Sequence, residues 1–199
     1  QHPIKAPNVI AHVRKATQGA VSPVNCHPFR REWAGRHWVF AHNGDLKDFA
    51  PPLDGRFVPV GQTDSERALC WLLQRLHERF DGGPLPPWPV IAEAMQPWLA
   101  DIAAHGVFNM LLGDGRALLA HASTKLVWLE RRHPFGRVRL IDRDLELDLS
   151  AANAAQDRMA LVATAPLTHD EPWHAFAPGE LRVFEGGRTS WAWRPTVRI

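Results

Sequence analysis

"AHNGDL" (Ala41–Leu46) closes the apolar run "HWVFA" (His37–Ala41), and the fold turns on how it is read. Asn-Gly after a strand ordinarily marks a hairpin tip, because both residues accept positive φ. A hairpin would continue with a second alternating strand. The chain continues instead with "DLKDFAPPLDG" (Asp45–Gly55), which has two adjacent prolines, three acids and no period-two pattern. Asn43 and Gly44 therefore stand at the end of a strand, "RHWVFAHN" (Arg36–Asn43), that does not fold back, and the pair needs another explanation.

Upstream, "NVIAHVR" (Asn8–Arg14) is short, β-branched and bounded by Pro7, which reads as a strand; a polar loop runs from Thr17 to His27. Downstream, "TDSERALCWLLQRLHERF" (Thr63–Phe80) is the clearest helix, with Ala68, Leu69, Leu72, Leu73, Leu76 and Phe80 at helical spacing and Asp81-Gly82-Gly83 as its stop. A second helix is expected over "VIAEAMQPWLADIAAHG" (Val90–Gly106), broken or kinked at Pro97. From Val107 the pattern turns to β. "VFNMLLGDGRALLAHAS" reads as a hairpin about Gly113-Asp114-Gly115, and "KLVWLER", "RVRLIDRDLELDL", "RMALVATAPL" and "ELRVFEGG" are further strands. The class is α+β, strands at both ends and helices between.

The 199 residues suffice for one domain with a sizeable core. A net charge of +2 argues for neither a nucleic-acid nor a membrane partner. No apolar stretch approaches bilayer length and no signal peptide is visible. Two cysteines, Cys26 and Cys70, are too few for a disulfide framework, which fits a reducing, cytoplasmic setting. The chain begins with Gln1 rather than Met, so translation is expected to start upstream.

Several residues invite chemistry. His12 and Arg14 share one face of the expected first strand, opposite Val9, Ala11 and Val13. They are either a solvated face or a site at which Arg14 grips a carboxylate bidentately, which a lysine could not do. "TDSE" (Thr63–Glu66) fits a capping box, Thr63 capping and Glu66 reaching back to it. Asp64, in the first turn, is then rigid enough to receive an ammonium group. His12, His27, His37 and His42 cluster near strand ends without metal-ligand spacing, and His37 and His42 fall on opposite faces, so no metal is expected. Cys70 reads as a small core residue. Cys26 lies beside His27 but has no third group to orient that base.

"AHVRKAT", "NCHPF", "FAHNGDL" and "TDSE", in that order, resemble the class II glutamine amidotransferase domain of the N-terminal nucleophile hydrolases. "GVFNMLLGDGRALLAH" and "VATAPLTHDEPWHAFAPGEL" are similar to its stand-alone bacterial branch, which includes γ-glutamyl amidases. The resemblance implies an αββα four-layer sandwich, two antiparallel sheets flanked by helices, here lacking some N-terminal strands. It implies an oxyanion hole from the Asn43 side-chain amide and the Gly44 backbone N–H, which would answer the opening question. Arg14 would then hold the α-carboxylate of glutamine or a γ-glutamyl compound and Asp64 its α-ammonium, with Thr17 and His27 shaping the pocket. The family's nucleophile is a cysteine at the mature N-terminus. Nothing ahead of Asn8 resembles that strand, and neither Cys26 nor Cys70 carries a free amine, so the expectation is a truncated, inactive chain. No cofactor is implied. The partners implied are glutamine or a γ-glutamyl small molecule, and an ammonia-accepting synthetase subunit. Two other readings stay open: a non-catalytic domain binding a glutamyl ligand, and an α+β domain with coincidental motifs.

Overall fold

Strand β1 (Phe29–Trp33) and strand β2 (Arg36–Leu46) are joined through Ala34 and Gly35, both at positive φ (51° and 70°) as a two-residue hairpin requires. The hairpin tip of this strand is thus at its start, not at Asn43-Gly44. The molecule is described by a computed structural model covering residues 6–13, 22–81 and 83–196. The other elements are α1 (Asp64–Phe80), α2 (Trp88–Ala103), β3 (Gly106–Gly113), β4 (Ala117–Ala122), β5 (Val127–Arg132), β6 (Arg137–Arg139), β7 (Glu146–Asp148), β8 (Arg158–Ala163), β9 (His174–Ala175), β10 (Glu180–Glu185) and β11 (Arg188–Trp193).

Among the described residues the strands form a six-stranded antiparallel sheet, β1-β2-β3-β4-β10-β11, a three-stranded sheet, β8-β5-β9, and the ribbon β6-β7. Alternation decides what each face of the large sheet meets. Trp38, Phe40, Phe108, Met110, Leu112, Ala117 and Leu119 join the buried stripe of α1 and α2 in the main core. Ala120, Ala122 and Phe184 point the other way, forming a second core with Trp128, Ala160 and Val162 of the smaller sheet. The class is α+β with antiparallel sheets, and the described residues supply helix, sheet and sheet layers in that order.

Four local expectations are corrected. Residues 8–13 are extended but in no strand, and the face expected to be apolar is the open one: Val9 is 60% and Val13 98% exposed. The second strand runs on three residues past Asn43, because Asn43, Gly44, Asp45 and Leu46 pair with Asn109, Phe108, Val107 and Gly106. Helix α2 is not broken at Pro97 but continues through it to Ala103. The N–H that Pro97 lacks would have met the carbonyl of Glu93, and both residues are exposed, so the proline lies on the solvent side of the helix. Finally, the capping box is half made. Thr63 Oγ1 accepts the Glu66 N–H (3.1 Å), but the Glu66 carboxylate takes the N–H groups of Val60 (3.0 Å) and Gly61 (2.7 Å) and the Arg31 guanidinium instead.

Candidate active site

Strand β1 ends opposite Phe40, so from Ala41 onward one edge of β2 carries no strand among the described residues. The Leu46 N–H points to that edge, where it donates to Asp64 Oδ2 at 2.8 Å. Backbone N–H groups two residues apart on a strand point the same way, so the Gly44 N–H is directed to the same vacant edge. Asp64 is held from its own side too: Oδ1 accepts the Ser65 N–H at 2.8 Å. The carboxylate thus straps the end of β2 to the start of α1.

Parity sends the Asn43 side chain to the opposite face from His42. Asn43 is exposed and borders a cleft of about 500 Å³ between the two sheets, lined also by Ile10, His12, Asn109, Leu161 and Thr164. Beneath it Asn109 is buried and saturated. Its Nδ2 donates to the Asn43 carbonyl (3.2 Å) and Thr124 Oγ1 (2.9 Å), and its Oδ1 accepts the N–H groups of Thr124 (3.1 Å) and Lys125 (3.2 Å). Asn109 lies in the stretch "GVFNMLLGDGRALLAH", but only its register opposite Asn43 reveals its place at the site.

On the helix side, His42 Nε2 meets the Val107 carbonyl (2.9 Å), an acceptor only, so this nitrogen carries the proton. Its Nδ1 then accepts from the Ser65 hydroxyl at 2.8 Å. Burial pulls the imidazole below its ordinary pKa, against the opposing influence of the Val107 carbonyl and Asp64. A neutral His42 whose two nitrogens are both occupied braces β2 against β3 and α1. It is not free to act as a base.

Of the residues singled out from the sequence, the structure brings Asn43, Gly44 and Asp64 to one corner. His27 is half-buried in a row of rings, 4.3 Å from His12 and 4.6 Å from Phe29 between centroids. Arg14 and Thr17 lie outside the described residues. Cys70 is fully buried in the main core and burial raises its thiol pKa, whereas exposed Cys26 donates to the Ser22 carbonyl at 3.5 Å. Among the described residues no group of His, Cys, Asp and Glu could hold a metal, and no helix is long and apolar enough to cross a membrane.

Residues 1–198 match the family of class II glutamine amidotransferases. YafJ of Escherichia coli (strain K12), whose name provisionally assigns it to the glutamine amidotransferases, is 45% identical over 187 residues, 92% of this chain and 71% of that protein. A similarly named protein of Haemophilus influenzae is 42% identical over 187 residues, 94% of this chain and 63% of its own length. A crystal structure from Pseudomonas aeruginosa PA01, provisionally assigned to the same group, aligns with a TM-score of 0.76 at 40% identity, over 85% of this chain and 66% of that one. The chain therefore spans about two thirds of the length of these relatives. With the family match running from residue 1 to residue 198, the chain belongs to the class II glutamine amidotransferases.

Proposed function

We propose that this chain carries the substrate-holding and oxyanion-stabilising part of an amidase acting on the γ-amide of glutamine or of a small γ-glutamyl compound. The observation that carries the reading is the corner itself. An exposed Asn43 amide and the Gly44 N–H border an edge of β2 that carries no strand among the described residues, with the Asp64 carboxylate two residues along it. Asp64 accepts two backbone N–H groups, and a carboxylate offers about four lone-pair sites, which leaves capacity for an α-ammonium. Arg14, which comes after His12 and Val13 of the cleft wall, would take the α-carboxylate, and Thr17 and His27 would shape the pocket.

In the complete protein a cysteine thiolate would add to the γ-carbonyl. Asn43 and Gly44 would donate to the oxygen as it becomes negative, in donor positions already set by β2. Collapse would expel ammonia or an amine, protonated on leaving, and form a thioester; water would then release the acid and restore the thiol. The ammonia would go to water or to an acceptor subunit.

The test is ammonia release from glutamine by the complete protein. Asn43→Ala is expected to lower kcat on the order of a hundredfold or more with KM little changed, the signature of a lost oxyanion donor. Turnover indifferent to Asn43 sinks the assignment. One observation favours a second reading, a glutamyl-binding domain without catalysis: Cys70 is buried in the main core, and exposed Cys26 donates its thiol to the Ser22 carbonyl. Glutamate calorimetry without any glutamine turnover by the complete protein would support that reading instead. In both readings Asp64→Asn weakens glutamate binding by about 1.5–3 kcal/mol, the worth of a hydrogen bond to a charged group.

A further inference from the structure

At the far end of the sandwich from β2, the rim between the two sheets gathers positive charge. Strands β5 and β8 pair so that Arg132 stands directly opposite Arg158. Like charges in that relation destabilise a sheet, so the pairing needs a reason. The turn between β10 and β11 then brings a third arginine to the same place. Gly187 packs so tightly on β8 that a Cβ would overlap the Arg158 carbonyl, and Arg188 is its immediate neighbour in the chain. Arg132, Arg158 and Arg188 are all exposed, and none has an ion-pair partner among the described residues.

Two acids stand beside these arginines, Glu130 in the pocket wall and Glu185 across from Arg188 in the β10–β11 register, and neither is ion-paired with them among the described residues. Glu130, on the same face, accepts the Thr189 N–H at 2.6 Å, and Glu171 is held by Arg131 on the other face, with N···O distances of 2.7 and 2.6 Å. Arg132, Arg158, Arg188 and Glu130 border a pocket of about 350 Å³ whose wall includes the Trp128–His174 ring pair, 4.6 Å between centroids. Arg182, itself ion-paired with buried Glu180, lies over Trp128 with its guanidinium carbon 4.1 Å from the ring centroid.

We propose that this pocket is an anion site for a small ligand bearing two linked phosphate groups, distinct from the glutamine corner and independent of it. Three guanidiniums offer forked donors matched to phosphate oxygens, and an anion among them removes the repulsion between Arg132 and Arg158.

Calorimetry and thermal melting of the whole chain with sodium pyrophosphate test the site, with sodium sulfate as the control for unspecific anions. Pyrophosphate should bind once, saturably, and raise the melting temperature. Arg158→Gln and Arg188→Gln should each weaken it by about tenfold or more, and the exposed Arg116→Gln on the β3–β4 turn should leave it unchanged. Arg158→Gln should also melt no lower than the parent in anion-free buffer, because it relieves the cross-strand repulsion. No saturable binding by the parent, binding no tighter than that of sulfate, or an equal loss in Arg116→Gln overturns the proposal.

Discussion

Gly44 fixes how closely β2 and β3 approach at the corner. A Cβ there would lie on the Val107 carbonyl oxygen and 2.6 Å from His42 Nε2, the two groups whose hydrogen bond closes the buried brace. Neither neighbour is the loose end of a flexible chain: one is backbone, the other a ring fixed at both nitrogens. Gly44→Ala should therefore destabilise the protein by about 1–3 kcal/mol, the range for overpacking a tight site, seen as a lower urea midpoint at unchanged slope. A midpoint equal to the parent's would mean that the strands part there without cost. The glycine of "NG" thus serves a close approach inside a paired strand, where the local rule anticipates a reverse turn. Asn109 had no comparable signal, since an Asn in an apolar β run looks like an interruption until the register sets it against Asn43. Arg14 and Thr17, which the motif singles out as clearly as Asn43, fall outside the described residues.

Among the elements, α2 carries an internal proline at its solvent side. In an unstrained helix interior Pro is about 3 kcal/mol less favourable than Ala, and part of that cost is relieved where water reaches the orphaned Glu93 carbonyl. Pro97→Ala should raise stability by about 1–3 kcal/mol in urea unfolding; a fall would show that the proline sets a bend the packing needs. The turn of the β3–β4 hairpin makes the opposite case. Buried Asp114 accepts from Arg36 Nη1 (2.5 Å), Trp88 Nε1 (3.1 Å) and the N–H groups of Arg116 (3.0 Å) and Ala117 (3.1 Å), so one carboxylate ties β2, α2 and the hairpin together. Asp114→Ala should cost about 3–5 kcal/mol, the penalty for breaking a buried pair, and an effect below about 1 kcal/mol would refute that role. The helices and this hairpin were legible because a 3.6-residue stripe or a Gly-Asp-Gly turn between apolar runs is a local signal. Strand β1 was not: "FRREW" has apolar residues only at its ends, and its partner is what makes it a strand. Residues 8–13 mislead the other way. Their composition suits a strand, but no pairing partner is present for them among the described residues.

For the molecule as a whole, the helix-side face of the large sheet buries two imidazoles around one phenyl ring. Phe108 lies 4.9 Å from the His42 ring and 5.8 Å from the His121 ring, between centroids, and the two histidines bond successive carbonyls, Val107 O and Phe108 O, at 2.9 Å each. A sequence reading places both histidines on strands. That they flank the same residue is a consequence of β2 and β4 both pairing with β3. Burial is the main cause of their depressed pKa values; for His121, whose bond to the Phe108 carbonyl works in the opposite direction, the value falls from 6.5 to about 4. Between these two values the unfolded chain binds a proton that the folded chain refuses. For His121 the stability is therefore full above about pH 6.5 and is lost as the pH falls toward about 4, at up to ~1.4 kcal/mol per pH unit. His121 alone accounts for roughly 3 kcal/mol over that window, and His42 adds to it in the same direction. Urea unfolding at a series of pH values should show this slope, and His121→Gln should remove about one proton's worth of it while lowering stability at neutral pH through the lost packing. An unaltered slope in that variant would mean that acid acts elsewhere, on the carboxylates that tie the loops to the sheet.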